Sequence, residues 1–380
     1  MNLLRLSFPL IFALSSVVAS ADWPAPPQVN AAAYIVVEMT SGQVIAESGA
    51  DQPRDPASLT KLMGAYLVFD ALHQKKMSFS QRLPIPERAW RVEGARAFSR
   101  PGVPVTGEDL VRGLIVASGN DAAIALAHAV AGGEGAFVEA MNREAQRLGM
   151  KATRFMNVTG LSEQGHVSTA QDLARLALAL DRDYPQYRRF FAERSFSHGG
   201  ASITNRNALL ATDPTVDGLK TGYTERAGWN IAVTATRPPR RVLAIVLGAP
   251  SDTARATETR KLLDWAFTAF EGRRFHEGGK PAETVKVWKS TIDRLPIGFR
   301  DDVVAVAPTG LGDTLVTEFV MREPLIGPIT AGDKVGTLRL RRAGNLLYER
   351  DIVALESAPQ AGLFKRAWHT LVLFVKGLLS

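Results

Sequence analysis

Cysteine is absent from this 380-residue sequence, which excludes disulfides and metal sites built on thiolates. The six histidines, at positions 73, 128, 166, 198, 276 and 369, are scattered without the spacing of metal ligands. We therefore expect neither a metal nor another cofactor. Stability must come from an ordinary apolar core.

Neither end of the sequence carries an apolar run long enough to span a bilayer, which takes about 20 residues. The N-terminal run, Leu6–Val18, follows Arg5 and is broken by serine and proline, and small residues follow it at 19–21. This order is typical of a signal peptide, so we expect residues 1–21 to be removed on export. For an exported protein, the formal net charge of +7 indicates an anionic lipid or polymer as partner rather than nucleic acid. A merely basic soluble surface would have the same composition.

The order of predicted elements divides the exported chain into two domains. Residues 33–38 and 44–46 form a predicted hairpin, and the strands 216–224, 228–236 and 242–248 come much later. Between and after them, apolar periodicity predicts helices over 58–74, 108–117, 121–131, 134–148, 169–180 and 253–270. Strands at both ends with helices between them predict one mixed domain over 22–275. From 276 to 358, short β-branched stretches alternate with turn residues, which predicts a small all-β domain.

The last segment, residues 359–380, is amphipathic when drawn as a helix. Lys365, Arg366, His369 and Lys376 share one sector, and large apolar side chains take the other. The longest uncharged run, at 367–375, is too short to span a bilayer. We therefore expect residues 361–380 to lie in the membrane interface with their basic side chains on anionic headgroups. The alternative is a helix that packs on its own protein.

Three short motifs carry the chemistry. The first, Ser58-Leu59-Thr60-Lys61, places a serine and a lysine one helical turn apart, so Lys61 can act as general base for a Ser58 nucleophile. A lysine does so only when neutral, and lowering its pKa from about 10.4 to about 7 requires about 4–5 kcal/mol. Burial of the helix and repulsion from Lys220 would act in that direction. Alone, such a motif more often marks a helix surface.

The second motif, Ser118-Gly119-Asn120, lies at the connection between two predicted helices. A serine at such a connection suits a proton relay, and Asn120 suits a partner for a substrate amide. Alone, the motif would be interpreted as a helix N-terminal cap.

The third motif, Lys220-Thr221-Gly222, lies on a predicted strand with two glycines. Glycine in a strand often marks close approach of another backbone, here a peptide added along the strand edge. Lys220 and Thr221 would hold an anionic or polar group. The backbone N–H groups of Ser58 and Tyr223 could form an oxyanion hole.

Together the motifs resemble the low-molecular-mass penicillin-binding proteins, specifically the D-alanyl-D-alanine carboxypeptidases of the Ser-x-x-Lys class. The segments 160–161, 165–172, 205–207 and 227–230 are also similar to that family, as are the signal peptide, the β-rich domain and the amphipathic end. The resemblance implies an α+β fold, in which a serine β-lactamase/transpeptidase-like domain has an antiparallel sheet with helices on both faces. A small all-β domain and a C-terminal amphipathic helix follow. The implied location is the periplasm, on the outer leaflet of the cytoplasmic membrane.

The resemblance further implies an activity. The enzyme would remove the terminal D-alanine from peptidoglycan stem pentapeptides and lipid-linked precursors through an acyl-enzyme on Ser58, and β-lactams would acylate the same serine. Arg255 matches the family's arginine that binds the substrate's terminal carboxylate, for which a guanidinium has the right geometry. A surface arginine on a helix is the alternative. Arg206 and Asp172 match family residues near the cleft, without an assigned role.

Other functions fit parts of the sequence. A class A β-lactamase would carry Ser-Asp-Asn at 118–120 and a deacylating glutamate loop between 150 and 175, where Glu163 is followed by Gln-Gly-His instead. A peptidoglycan DD-endopeptidase is closer and stays the second interpretation, since it differs mainly in tolerating chain beyond the scissile residue. A non-catalytic wall-binding protein would have no need for intact motifs.

Overall fold

The computed structural model describes residues 23–98, 102–311, 314–342 and 344–379. The predicted signal peptide, residues 1–21, lies outside the described residues. The described chain divides into two compact units, one from Ala25 to Phe267 and one from Thr268 onward.

The first unit combines helices and strands. Its helices are α1 (Lys61–His73), α2 (Glu87–Trp90), α3 (Gly107–Ile115), α4 (Asn120–Ala131), α5 (Glu134–Arg147), α6 (Ala170–Asp183), α7 (Arg188–Ala192), α8 (Leu209–Thr212) and α9 (Asp252–Ala269), with 3₁₀ turns at Ala57–Thr60 and Pro185–Tyr187. Its strands are β1 (Ala33–Glu38), β2 (Gln43–Ser48), β3 (Arg82–Leu83), β4 (Val105–Thr106), β5 (Ser195–His198), β6 (Ala201–Thr204), β7 (Val216–Thr224), β8 (Gly228–Arg237) and β9 (Arg240–Ala249).

Five of these strands form one antiparallel sheet in the order β2-β1-β9-β8-β7. Because β1 pairs with β9, the N-terminal hairpin closes onto the strands from the other end of the domain, as the sequence predicts. Strand β7, which carries the third motif, lies at one edge of this sheet. That edge leaves backbone groups available for an added strand.

Helix α1 is the buried centre of the first unit and packs against α3, α4, α5 and α6. Ten of its 13 residues are buried, so it is apolar on all sides. The predicted α-helix from Ser58 was wrong in its first turn. Residues 57–60 form a 3₁₀ turn, and α1 begins at Lys61.

The second unit is β-rich, which agrees with the predicted fold class. Its strands are β10 (Phe270–His276), β11 (Pro281–Trp288), β12 (Arg294–Gly298), β13 (Val303–Pro308), β14 (Val316–Met321), β15 (Leu325–Ile326), β16 (Lys334–Arg342) and β17 (Asn345–Ala354). Six of them form a sheet in the order β14-β16-β17-β12-β11-β15, over a core that includes Val287, Ile297, Phe299 and Leu338. Residues 270–275, which the sequence analysis assigned to the first domain, pair with β13 in the second unit.

Helix α10 (Leu363–Leu379) belongs to the second unit, and its polar side contacts the connection 289–293 and Trp288 of β11. Lys365 Nζ lies 2.9 Å from an Asp293 carboxylate oxygen, and the Lys289 N–H donates to His369 Nδ1 at 2.7 Å. On the apolar side, Phe364 is 95% and Trp368 is 63% exposed. None of the helices in the described ranges combines the length and the apolar character needed to cross a bilayer.

Candidate active site

The three motifs meet in one cleft of the first unit, with a volume of about 230 Å³. The 3₁₀ turn before α1 contributes Ser58, the connection between α3 and α4 contributes Ser118, and the edge strand β7 contributes Thr221. Residues 94–95, 120, 159–161, 206, 222–224, 229 and 255 complete the lining. The fold therefore brings together groups that are far apart in sequence.

Ser118 in the cleft and Ala57 behind it have a left-handed backbone. Ala57, directly before the nucleophile, has φ 47°, and Ser118 has φ 58°. For a residue with a Cβ this conformation costs about 1–3 kcal/mol, so the surrounding contacts must maintain it. At Ala57, those contacts include the Asp55 side chain, which accepts the Ala57 N–H at 2.9 Å.

Lys61 Nζ is held by three oxygen atoms. It lies 3.0 Å from Ser58 Oγ and 2.7 Å from Asn120 Oδ1, and it also donates to the carbonyl oxygen of Thr159. A neutral amine has two N–H groups and one lone pair. The Asn120 and Thr159 oxygens can only accept, so the lone pair of neutral Lys61 faces the Ser58 hydroxyl. This geometry suits proton transfer from Ser58 to Lys61.

The electrostatics of the cleft favour neutral Lys61. Burial lowers its pKa to about 7; the Asp121 carboxylate acts against this shift, and Arg206 adds to it. Lys220, expected from sequence to supply the repulsion, is itself wholly buried. Burial and the nearby Lys61 hold the pKa of Lys220 well below its ordinary value. Lys220 Nζ donates to the Thr221 carbonyl at 2.9 Å.

Ser118 and Asn120 both line the cleft, but their surroundings differ. The Asn120 amide is used at both ends, because Nδ2 donates to the Glu93 carbonyl at 2.6 Å while Oδ1 accepts from Lys61. Within the described residues, the Ser118 hydroxyl has no hydrogen-bond partner, which leaves it available to a substrate. A direct bond from Asn120 to a substrate amide stays a prediction and would require one of its present bonds to exchange.

Asp121 is a site residue that the sequence analysis missed. Its side chain is wholly buried and accepts the backbone N–H groups of Ala97, Phe98 and Ala122 at 2.6–3.0 Å. The Asn120 N–H donates to the Ala95 carbonyl at 2.7 Å. Asp121 therefore helps hold the segment that forms one wall of the cleft. Its position directly after the second motif was the available signal.

Two glycines allow the backbone to approach Ser58. A Cβ on Gly222 would lie 2.9 Å from the Ser58 nitrogen, and a Cβ on Gly160, with φ 80°, would lie 2.0 Å from the Ala57 oxygen. Strand β7 and the 159–161 segment thus pack directly against the turn that carries the nucleophile. The Ser58 N–H lies beside β7, where the sequence predicts an oxyanion hole with the Tyr223 N–H.

Both arginines named from the sequence line the cleft, but within the described residues only Arg255 forms an ion pair. Arg255 lies 2.6 Å from an Asp252 carboxylate oxygen and 5.0 Å from the ring centroid of Trp229. The Trp229 ring in turn stacks on Tyr223, with centroids 4.2 Å apart. Arg206 is exposed and, in the described parts of the chain, has neither a hydrogen bond nor an ion pair. The pairing with Asp252, three residues earlier, follows from helical spacing, whereas the contact with Trp229 depends on the fold.

Asp172 and His166 lie outside the cleft lining. Asp172 accepts hydrogen bonds from the Ala152 N–H and the Thr153 hydroxyl, so it holds a turn. His166 is wholly buried, 2.8 Å from Thr60 Oγ1, and its Nδ1 accepts the Met156 N–H. Across the described ranges, no three histidine or carboxylate side chains converge as a metal site would require.

Comparison with known families decides the family of the chain. The family described as D-alanyl-D-alanine carboxypeptidase matches residues 20–251. This chain belongs to that family. The C-terminal domain of penicillin-binding protein 5 matches residues 270–360. The resemblance drawn from the three motifs is thus confirmed.

Several known members of this carboxypeptidase family align with most of the chain. It is 35% identical to the D-alanyl-D-alanine carboxypeptidase DacA of Escherichia coli K12, over 90% of this chain and 87% of that protein. The structure of penicillin-binding protein 5 from Haemophilus influenzae is similar with a TM-score of 0.83 and 31% identity, over 89% of this chain and all of that one. The predicted α+β fold class is confirmed. A D-alanyl-D-alanine endopeptidase of E. coli K12 is 29% identical, over only 66% of this chain and 81% of its own length.

Proposed function

We propose that this enzyme releases the terminal D-alanine from peptidoglycan stem pentapeptides, with Ser58 as nucleophile and Lys61 as base. The observation that carries the proposal is the orientation of Lys61, whose lone pair faces only the Ser58 hydroxyl. Neutral Lys61 takes the Ser58 proton while Oγ attacks the carbonyl carbon of the penultimate D-alanine. The C–N bond then breaks, and the proton passes to the departing amine through Ser118.

Deacylation returns the site to its starting state. Water attacks the ester on Ser58, the ester C–O bond breaks, and the proton of the water goes back to Oγ. In both steps the Ser58 and Tyr223 N–H groups would stabilise the developing oxyanion, for which each donor typically contributes about 3–4 kcal/mol. Because a β-lactam presents a carbonyl in the same position, it would acylate the same oxygen.

The substrate's terminal carboxylate would lie between the two cleft arginines and the third motif. Arg255 is the residue predicted from sequence, and its guanidinium is close enough to the Gly222 carbonyl, at 3.3 Å, to face β7. The Asp252 carboxylate already offsets the charge of Arg255. We therefore assign the first contact with the substrate carboxylate to Arg206, which has no ion pair within the described residues. Replacing Arg206 by Gln should therefore raise KM with little change in kcat. Replacing Arg255 by Gln should raise KM and, in addition, slow the acylation of Ser58. An unchanged KM in Arg206→Gln would contradict this assignment.

The experiment is D-alanine release from a pentapeptide ending in D-Ala-D-Ala, with protein of residues 22–380 and Ser58→Ala as control. Release that disappears in the variant supports the proposal. Cleavage of a cross-linked muropeptide without free D-alanine would favour the endopeptidase. No turnover and no labelling of Ser58 by penicillin would favour a non-catalytic wall-binding protein.

We propose that the enzyme acts at the outer leaflet of the cytoplasmic membrane, to which α10 attaches it. The apolar side of α10 is exposed at Leu363, Phe364, Trp368, Leu371, Phe374 and Val375, whereas its polar side contacts the connection between β11 and β12. An exposed apolar helix face flanked by basic residues is what an anionic interface binds. The lipid-linked precursors at the same surface would then be within the enzyme's reach.

Deletion of 361–380 tests the attachment. The truncated protein should leave the membrane fraction and keep its D-alanine release. Retention on membranes would contradict the attachment without affecting the proposed chemistry.

A further inference from the structure

A cavity of about 680 Å³ lies in the second unit between α10 and the β strands. This volume is in the range of small-molecule sites. Most of its lining is apolar, contributed by Val285, Trp288, Met321, Pro324, Leu325 and Leu373. The cavity holds none of the three motifs and has no part in the proposed chemistry.

Two ammonium groups converge on one tryptophan in this cavity. Lys286 Nζ, from β11, lies 4.1 Å from the ring centroid of Trp288, and Lys376 Nζ, from α10, lies 5.5 Å from it. Neither lysine forms an ion pair within the described residues. Glu323 lines the same cavity, so the three side chains together leave one positive charge in excess. A singly charged anion of apolar character would match both the charge and the lining.

We propose that this cavity binds one molecule of an anionic phospholipid, with its phosphate between Lys286 and Lys376 and acyl carbons against the apolar lining. The choice of a lipid rests on the proposed attachment of α10 to a membrane. Leu371 and Phe374, on the exposed apolar side, lie within about one turn of the cavity residues Leu373 and Lys376. When that side enters the acyl region, Lys376 lies at the depth of the phosphates, where each lysine raises the affinity for anionic lipid about fivefold.

The first experiment compares two double variants of protein 22–380 that change the net charge equally. Lys286→Gln with Lys376→Gln removes the cavity cations. Lys280→Gln with Lys334→Gln, the control, removes lysines that pair elsewhere in the unit with Glu277 and Asp351. Co-sedimentation with phosphatidylcholine vesicles is measured with and without phosphatidylglycerol. The cavity variant should lose about thirtyfold in affinity for the phosphatidylglycerol vesicles relative to the control. Equal losses in the two variants would overturn the proposal, because they would indicate diffuse charge attraction.

The second experiment separates the cavity from the membrane attachment. Short-chain phosphatidylglycerol, kept below its micelle concentration, is titrated calorimetrically into the same proteins. Binding by the native chain and the control variant, but not by the cavity variant, supports the site even if no vesicle is bound. No binding by the native chain overturns it. Equal binding of glycerol 3-phosphate would also overturn it, because the ligand would then be a phosphate ester without acyl chains. Matching thermal unfolding midpoints verify that both variants are folded.

Discussion

Asn120 Oδ1 lies 2.7 Å from Lys61 Nζ, while the carboxylate of the next residue, Asp121, is buried against the backbone of the cleft wall. The first contact is neutral and orients the base. The second group is charged and raises the pKa of Lys61 against the effect of burial. Asn120 therefore orients the Lys61 amine, whereas Asp121 influences its pKa. Substitutions at these two adjacent positions can test the two roles separately.

The first prediction concerns the pH dependence of acylation. Lys61 must be neutral, and its pKa lies at about 7, so kcat/KM for D-alanine release should rise as the pH increases through about 7. Lys61→Arg keeps a permanent charge and should reduce kcat/KM by at least about a hundredfold at every pH. A pH profile that is flat from 5 to 9, measured against Ser58→Ala as blank, would exclude Lys61 as the base.

The second prediction uses opposite charge changes at neighbouring positions. Asn120→Asp places a carboxylate beside Lys61, which raises the pKa of the lysine. The pH at which kcat/KM rises, the acid limb of the pH profile, should therefore move about 1–3 pH units upward. Asp121→Asn removes a carboxylate and should move the limb downward. Asp121→Asn also weakens the bonds to Ala97 and Phe98, so its maximal rate should fall as well. Shifts in the same direction would contradict this electrostatic account.

The third prediction concerns the close approach of Gly160 to the nucleophile turn. In Gly160→Ala the new Cβ would overlap the Ala57 oxygen and displace Ser58, which should lower kcat/KM by about a hundredfold. Gly165→Ala is the matched control. Its φ of 83° is almost the same as the 80° of Gly160, but its nearest neighbour is a flexible Met156 side chain at 3.8 Å. The control should lose about 1 kcal/mol of stability and keep its activity. Similar activity losses in both variants would show that backbone strain alone is responsible.

The fourth prediction concerns stability in acid. Burial lowers the pKa of His166 to about 4, from an ordinary 6.5. As the pH falls below 6.5 the unfolded chain takes up a proton that the folded chain does not. The free energy of unfolding therefore decreases between pH 6.5 and 4, by about 3 kcal/mol for this group. Urea unfolding at pH 7 and pH 4.5 should show a smaller decrease in His166→Gln. The exposed His128→Gln is the control, and identical pH dependence in both variants would contradict the prediction.

Much of the fold followed from local pattern. Strand β1 was predicted with the bounds that the structure has, and helices α3 to α6 and α9 were predicted to within a few residues, because apolar periodicity reports which side of an element is buried. The hairpin of β5 and β6 was missed, since each strand has only four residues and a single large apolar side chain, Phe196 or Ile203. The 3₁₀ turn at 57–60 was also missed, because Gly160 and Gly222 shape it from distant parts of the chain.

The motifs alone identify the reacting groups and the family, because Ser58, Lys61, Ser118 and Lys220 stand in an order that carries the chemistry. How those groups are held depends on the folded chain. The burial of Lys61, the backbone bonds of Asp121, the contact of Arg255 with Trp229, and the outward apolar side of α10 all depend on contacts between distant residues. Local spacing specifies which side chains share a helix turn or a strand face. The depth at which a charge is buried, and the partner it finds there, depend on how the whole chain packs.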